Sequence, residues 1–213
     1  APQPFHEVRG TPLAVAALTR TLGELGHEVD LLTFPQGDPW SAPGVRHLRS
    51  ARLVSGRVRP GFSAAKALQD IPFALRALSL ARSGRYDVVH AVEESALLVA
   101  PFVPRGVRFV VDMDSDLREQ LSQSRSFAAR VLAPFAASLH TRALRRADLA
   151  IVINDRLAES AKKERSTLPV FRLEDPPLVA APSEADFSAA RLLRDELRLG
   201  DAPVILYTGN FEP

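Results

Sequence analysis

Apolar residues recur in two rhythms along this chain. Leu13, Ala17, Leu18, Leu22 and Leu25 fall at the spacing of one helix face. Thr11 and Pro12 suit the N-cap and first turn of that helix, and Gly26 suits its left-handed C-cap. The run from Val29 to Phe34 follows at once and has the aliphatic density of a buried strand. The same alternation continues downstream. A short strand is predicted around Val45 to Leu48, and a helical pattern over 63–83 that Pro72 should split or kink and Gly84 should stop. A buried strand over 86–91 leads to a short apolar helix over 96–102, and a further strand over 108–114 ends in acids. Ser115 suits the cap of a short segment over 116–121, and 127–146 reads as a long amphipathic helix. A strand over 147–153 is followed by Asn154-Asp155 as a cap, a helix over 156–165 and a short strand over 170–173. Strands alternating with helices predict an α/β fold, a Rossmann-like parallel sheet with helices on both faces.

Three regions follow from composition. Residues 1–174 read as one Rossmann-like domain whose first strand is expected to be missing. Residues 175–202 are Pro-rich and then helical, which suits a linker and linking helix. Residues 203–213 open with the strong strand pattern Val204 to Thr208, expected to be the first strand of a truncated second domain. Both ends therefore read as cut from a longer protein.

Composition excludes several classes. The 46% apolar and 24% charged content suits a globular protein, and no apolar run reaches the roughly 18 residues of a membrane span. With no cysteine there are no disulfides and no thiolate metal sites. A net charge of +2 does not call for nucleic acid. Its distribution is uneven, because 40–68 contains no acid yet carries Arg46, Arg49, Arg52, Arg57, Arg59 and Lys66. This stretch reads either as a solvated loop or as a basic patch for an anionic membrane or a phosphorylated acceptor.

In parallel α/β sheets, ligands collect at the C-terminal strand ends. That rule selects His90, Glu93, Glu94, Asp112, Asp114, Ser115 and Asn154, with the loop Arg9-Gly10-Thr11. Gly10 would let another molecule approach the backbone, and the first-turn N–H groups would attract an anion. An ordinary loop before a surface helix has the same local pattern. His90 suits a satisfied core histidine as well as a ligand or acid/base. Glu93 and Glu94 suit either capping of the next helix or contact with a sugar hydroxyl or cation. Asp112 and Asp114 could share a strand face, but no further ligand at metal spacing accompanies them. The basic end of the long helix, His140, Arg142, Arg145 and Arg146, is accounted for by the helix dipole.

The order of these pieces carries a resemblance. A Gly loop and helix end in Leu25-Gly26-His27-Glu28-Val29. Then come Asp87-Val88-Val89-His90, Val110 to Ser115, Ala147 to Asn154, and Val204 to Asn210. This resembles the N-terminal half of retaining glycosyltransferases of family four, which have the GT-B fold. The resemblance implies an acceptor-side domain facing a donor-binding domain across a cleft, with a nucleotide sugar as co-substrate, a sugar or lipid-linked acceptor, and no metal cofactor. It matches Gly10 to the loop near the donor phosphates, with Arg9 in place of a glycine. It places Asp114 where members often carry a histidine near the transferred sugar, and Gly209 at the first phosphate loop of the second domain. It also places the family's paired glutamates beyond residue 213, so this stretch alone is expected to transfer no sugar. A cytoplasmic enzyme, peripheral on the inner membrane face, is the expected setting. A nucleotide-sugar epimerase of the same fold and a non-catalytic sugar- or nucleotide-binding module are the rival readings.

Overall fold

The computed structural model describes residues 5, 10–56, 58, 63–116, 127–174 and 181–205. Two units divide at Pro176 and Pro177. In chain order the first contains α1 (Gly10–Glu24), β1 (Val29–Thr33), β2 (Val45–Arg49), α2 (Ala64–Ala81), β3 (Val88–Val92) and α3 (Ser95–Val99). A 3-10 turn (Ala100–Phe102), β4 (Arg108–Met113), α4 (Phe127–Arg146), β5 (Leu149–Val152), α5 (Asp155–Glu164) and β6 (Val170–Arg172) follow. The second unit contains α6 (Glu184–Glu196), started by a capping box in which Asp186 N–H donates to Ser183 Oγ and Ser183 N–H donates to Asp186.

All paired strands run parallel, in two sheets among the described residues: β1 with β2, and β3-β4-β5-β6 in that order. The core is built on the four-stranded sheet. Phe109, Val111, Ala150 and Val152 are buried from its strands and meet Phe73 and Ala77 of α2, Leu144 of α4 and Leu157 of α5. A smaller cluster joins Val15 of α1, Leu31 of β1 and Val92 of β3 with Phe5 and Trp40. The two sheets also meet through Tyr86, whose hydroxyl donates to Asp30 Oδ2 at 2.5 Å.

Several local expectations shift. Helix α1 starts at Gly10, so Thr11 lies inside it rather than capping it. Its buried face is Pro12, Val15 and Thr19, whereas Leu25 is 70% exposed. Thr19 can occupy that face because its hydroxyl donates to Val15 O at 2.7 Å. Gly26 does end the helix: its φ is +90°, and the bonds Gly26 N–H to Gly23 O and His27 N–H to Leu22 O close a Schellman cap. Pro72 does not split α2, which runs unbroken through it from an N-cap at Ser63. The strand expected at 204–208 falls largely outside the described residues.

Candidate functional site

Strands β3 and β4 end side by side, with Val92 in register with Asp112. The chain then turns sharply at Glu93. Its N–H donates to Asp112 O at 2.8 Å, and its φ is +54°, a left-handed conformation that costs a non-glycine residue roughly 1–2 kcal/mol. Strain of this kind persists where surrounding contacts enforce it, and here they do. Ser115, just past β4, places Oγ 2.8 Å from Glu93 Oε2 and 3.1 Å from Oε1. Ser115 is therefore a clamp on Glu93, and the helix it was expected to cap, at 116–121, falls mostly outside the described residues.

Burial pushes the Glu93 carboxyl up to about 8. The Ser115 hydroxyl opposes this by bonding to the ionised form, while the negative charges of Asp114 and Glu94 reinforce it. At neutral pH Glu93 is thus a neutral carboxylic acid, able to donate a hydrogen bond as well as accept one. It lines a cavity of about 10 Å³ with Glu94, Ser115, Met113 and His140. That space seats one water or one hydroxyl group.

Glu94 occupies the N-cap position of α3 but makes no capping bond there. Its carboxylate instead holds Lys66 Nζ at 2.6 Å. Lys66 is 6% exposed, lies 3.4 Å from Asp70 Oδ1, and sits 5.6 Å above the centre of the Phe34 ring. Burial raises the Asp70 carboxyl, and Lys66 pulls it back down. One lysine between two carboxylates, with the Asp114 carboxylate near Glu93, leaves the region net negative.

This corrects the basic patch. Lys66 is no part of it, because its ammonium is buried in ion pairs. Arg46 is ion-paired to Asp30, and Arg49 donates to Gly37 O at 3.0 Å. Arg52 is exposed, while Arg57 and Arg59 lie outside the described residues.

The other candidates separate. His90 Nε2 lies 3.0 Å from Asp112 Oδ2, a pair across β3 and β4 outside the lining of the Glu93 cavity. Asn154 is a cap, accepting from Leu157 N–H at 3.0 Å. Gly10 is exposed, and a Cβ there would meet nothing within 4 Å among the described residues. Arg9 and Gly209 fall outside the described residues. Two members of the site, Lys66 and His140, were read from sequence only as a patch cation and a helix-end cation. The i, i+4 spacing of Lys66 and Asp70 was the one local signal of their pairing.

The family model for Glycosyltransferase Family 4 matches residues 8–169. The chain belongs to glycosyltransferase family 4. That match spans every strand of the first unit up to the start of β6, including both strand ends that carry the Glu93 cavity. No curated protein matches the chain. Membership gives the chain a glycosyltransferase-type function in general. It agrees with a Rossmann-like half of a GT-B fold. Among the described residues no helix is long and apolar enough to cross a membrane.

Proposed function

We propose that the first unit forms the acceptor side of a transferase that moves a sugar from a nucleotide-sugar donor with retention of configuration. The observation that carries this reading is the clamped Glu93 at the joint C-terminal end of β3 and β4, where such sheets bind ligands. In this reading Glu93 and Ser115 engage one acceptor hydroxyl. The Asp114 carboxylate favours the positive charge that develops on the sugar ring as the donor bond breaks. Glu94, held by Lys66, keeps the wall of the site in place. Gly10, with no described residue within 4 Å of its side-chain position, lets the donor phosphates approach the backbone N–H groups at the start of α1.

A screen of nucleotide diphosphate sugars on the full-length protein tests the reading. Turnover with retained anomeric configuration, sensitive to Asp114→Ala, supports the proposal. Turnover with inversion, or none with any donor, overturns it.

A further inference from the structure

A second hollow lies where the 3-10 turn meets α4. Its volume is about 380 Å³, within the range of small-molecule sites. The floor is apolar and recessed, because Leu97, Ala100 and Val103 line it and are only 9%, 8% and 7% exposed. Three arginines, Arg105, Arg142 and Arg146, stand around it, and no acidic side chain joins them among the described residues. Arg146 is already engaged, donating to Pro104 O at 3.1 Å and facing Asp148 at 3.6 Å. Arg105 and Arg142 are exposed, and neither has a hydrogen bond or ion pair among the described residues.

The helix dipole does not account for this pair. It acts within the last turn of α4, which holds Arg145 and Arg146. Arg142 precedes that turn, and Arg105 comes from the turn before β4. Two like charges at one hollow repel each other, and an anion seated between them would offset both.

The hollow also narrows the class of anion. Two free guanidinium groups match the double charge of a phosphate monoester, whereas a carboxylate answers only one of them, and their planar forks suit phosphate oxygens. Inorganic phosphate would leave the apolar floor in water, so the ligand has an apolar body as well. Depth selects a free molecule over a bilayer. Side chains as recessed as Leu97, Ala100 and Val103 are reached by a molecule that enters the hollow, not by a surface lying across its mouth. We propose that this hollow binds a small organic phosphate, a monoester with an apolar body, its phosphate between Arg105 and Arg142 and its body on Leu97, Ala100 and Val103. The site is separate from the Glu93 cavity. Arg142 lines the hollow while His140 lines the cavity, so α4 turns opposite faces to the two. The proposal therefore does not depend on the transferase reading.

An NMR titration of the isotope-labelled full chain tests this, with phenyl phosphate as the probe. Inorganic phosphate and methyl phosphate serve as probes without an apolar body, and phenol as one without the charge. The expected result is saturable shifts with phenyl phosphate, gathered at the hollow, and affinities at least about 10-fold weaker for the other three. Arg105→Gln and Arg142→Gln should each weaken phenyl phosphate roughly 10-fold or more, as for the loss of a hydrogen bond to a charged group. Arg145→Gln is the control, since Arg145 is exposed on α4 yet does not line the hollow. Vesicles of phosphatidylglycerol, added at equal phosphate, should not displace the probe. No saturable binding, equal affinity for inorganic phosphate, an equal loss with Arg145→Gln, or displacement by the vesicles would each overturn the proposal. Circular dichroism of the variants separates a lost site from a lost fold.

Discussion

Ser115 Oγ donates to the Glu93 carboxyl group at 2.8 Å, across the join between the ends of β3 and β4. The bond fixes a strained, left-handed residue against a small cavity. It also opposes the burial that keeps this acid protonated, because the hydroxyl favours the ionised form.

The raised acid makes stability depend on pH. An ordinary carboxyl ionises near 4.5, and Glu93 in the fold does so near 8. The folded state therefore holds a proton that the unfolded chain has lost between these values. Stability should fall as pH rises from about 4.5 to about 8, by an amount on the order of a few kcal/mol. Glu93→Gln removes the titration. Its melting temperature should match the native chain at low pH and exceed it above pH 8. Parallel melting curves for the two chains across that window would contradict the assignment.

Asp114 helps keep Glu93 neutral by its charge. Asp114→Asn should therefore shift the Glu93 transition to lower pH, followed by carboxyl NMR with labelled glutamate. An unmoved transition would show that the two carboxyls do not interact.

Lys66 holds two acids in a buried place. Lys66→Met leaves Asp70 and Glu94 unpaired and should cost about 3–5 kcal/mol, seen in urea unfolding. Adding Asp70→Asn and Glu94→Gln should recover much of that loss. A Lys66→Met chain of native stability would place the ammonium outside this cluster.

Two glycines of α1 should behave in opposite ways. A Cβ at Gly23 would lie 1.9 Å from Pro43 O, so Gly23→Ala must move backbone and should cost about 1–3 kcal/mol. A Cβ at Gly10 meets nothing among the described residues, so Gly10→Ala should leave thermal stability equal or slightly higher. Gly10→Val in the full-length chain should nonetheless weaken donor use, if donor phosphates approach this backbone. Unchanged donor kinetics would remove Gly10 from the site.

Much of the fold was legible because strand and helix periods are local. Val29–Thr33, Arg108–Met113 and Phe127–Arg146 follow directly from runs of side chains. The caps at Gly26 and Asn154 were equally visible, since backbone conformation and one side chain decide them. What local pattern misjudged was the choice of buried face. The leucines of α1 suggested one stripe, while packing buried Thr19 and left Leu25 in solvent. Strand-end acids pointed to Glu93 and Glu94. Their partners, Ser115 and Lys66, lie 22 and 28 residues away, and only the folded chain brings them together. Lys66 shows the limit most plainly. In a window without acids it read as a membrane cation, yet its partners come from α2 and the end of β3.

The most direct test of the site is steady-state kinetics of the full-length transferase carrying Asp114→Ala or Glu93→Gln, with melting temperatures measured on the same samples. A loss of about 100-fold or more in kcat/KM is expected for both, with a melting temperature near native for Asp114→Ala and at or above native for Glu93→Gln, as for groups that act on the developing charge and on the acceptor hydroxyl. Native kcat/KM per folded molecule in both variants would contradict it.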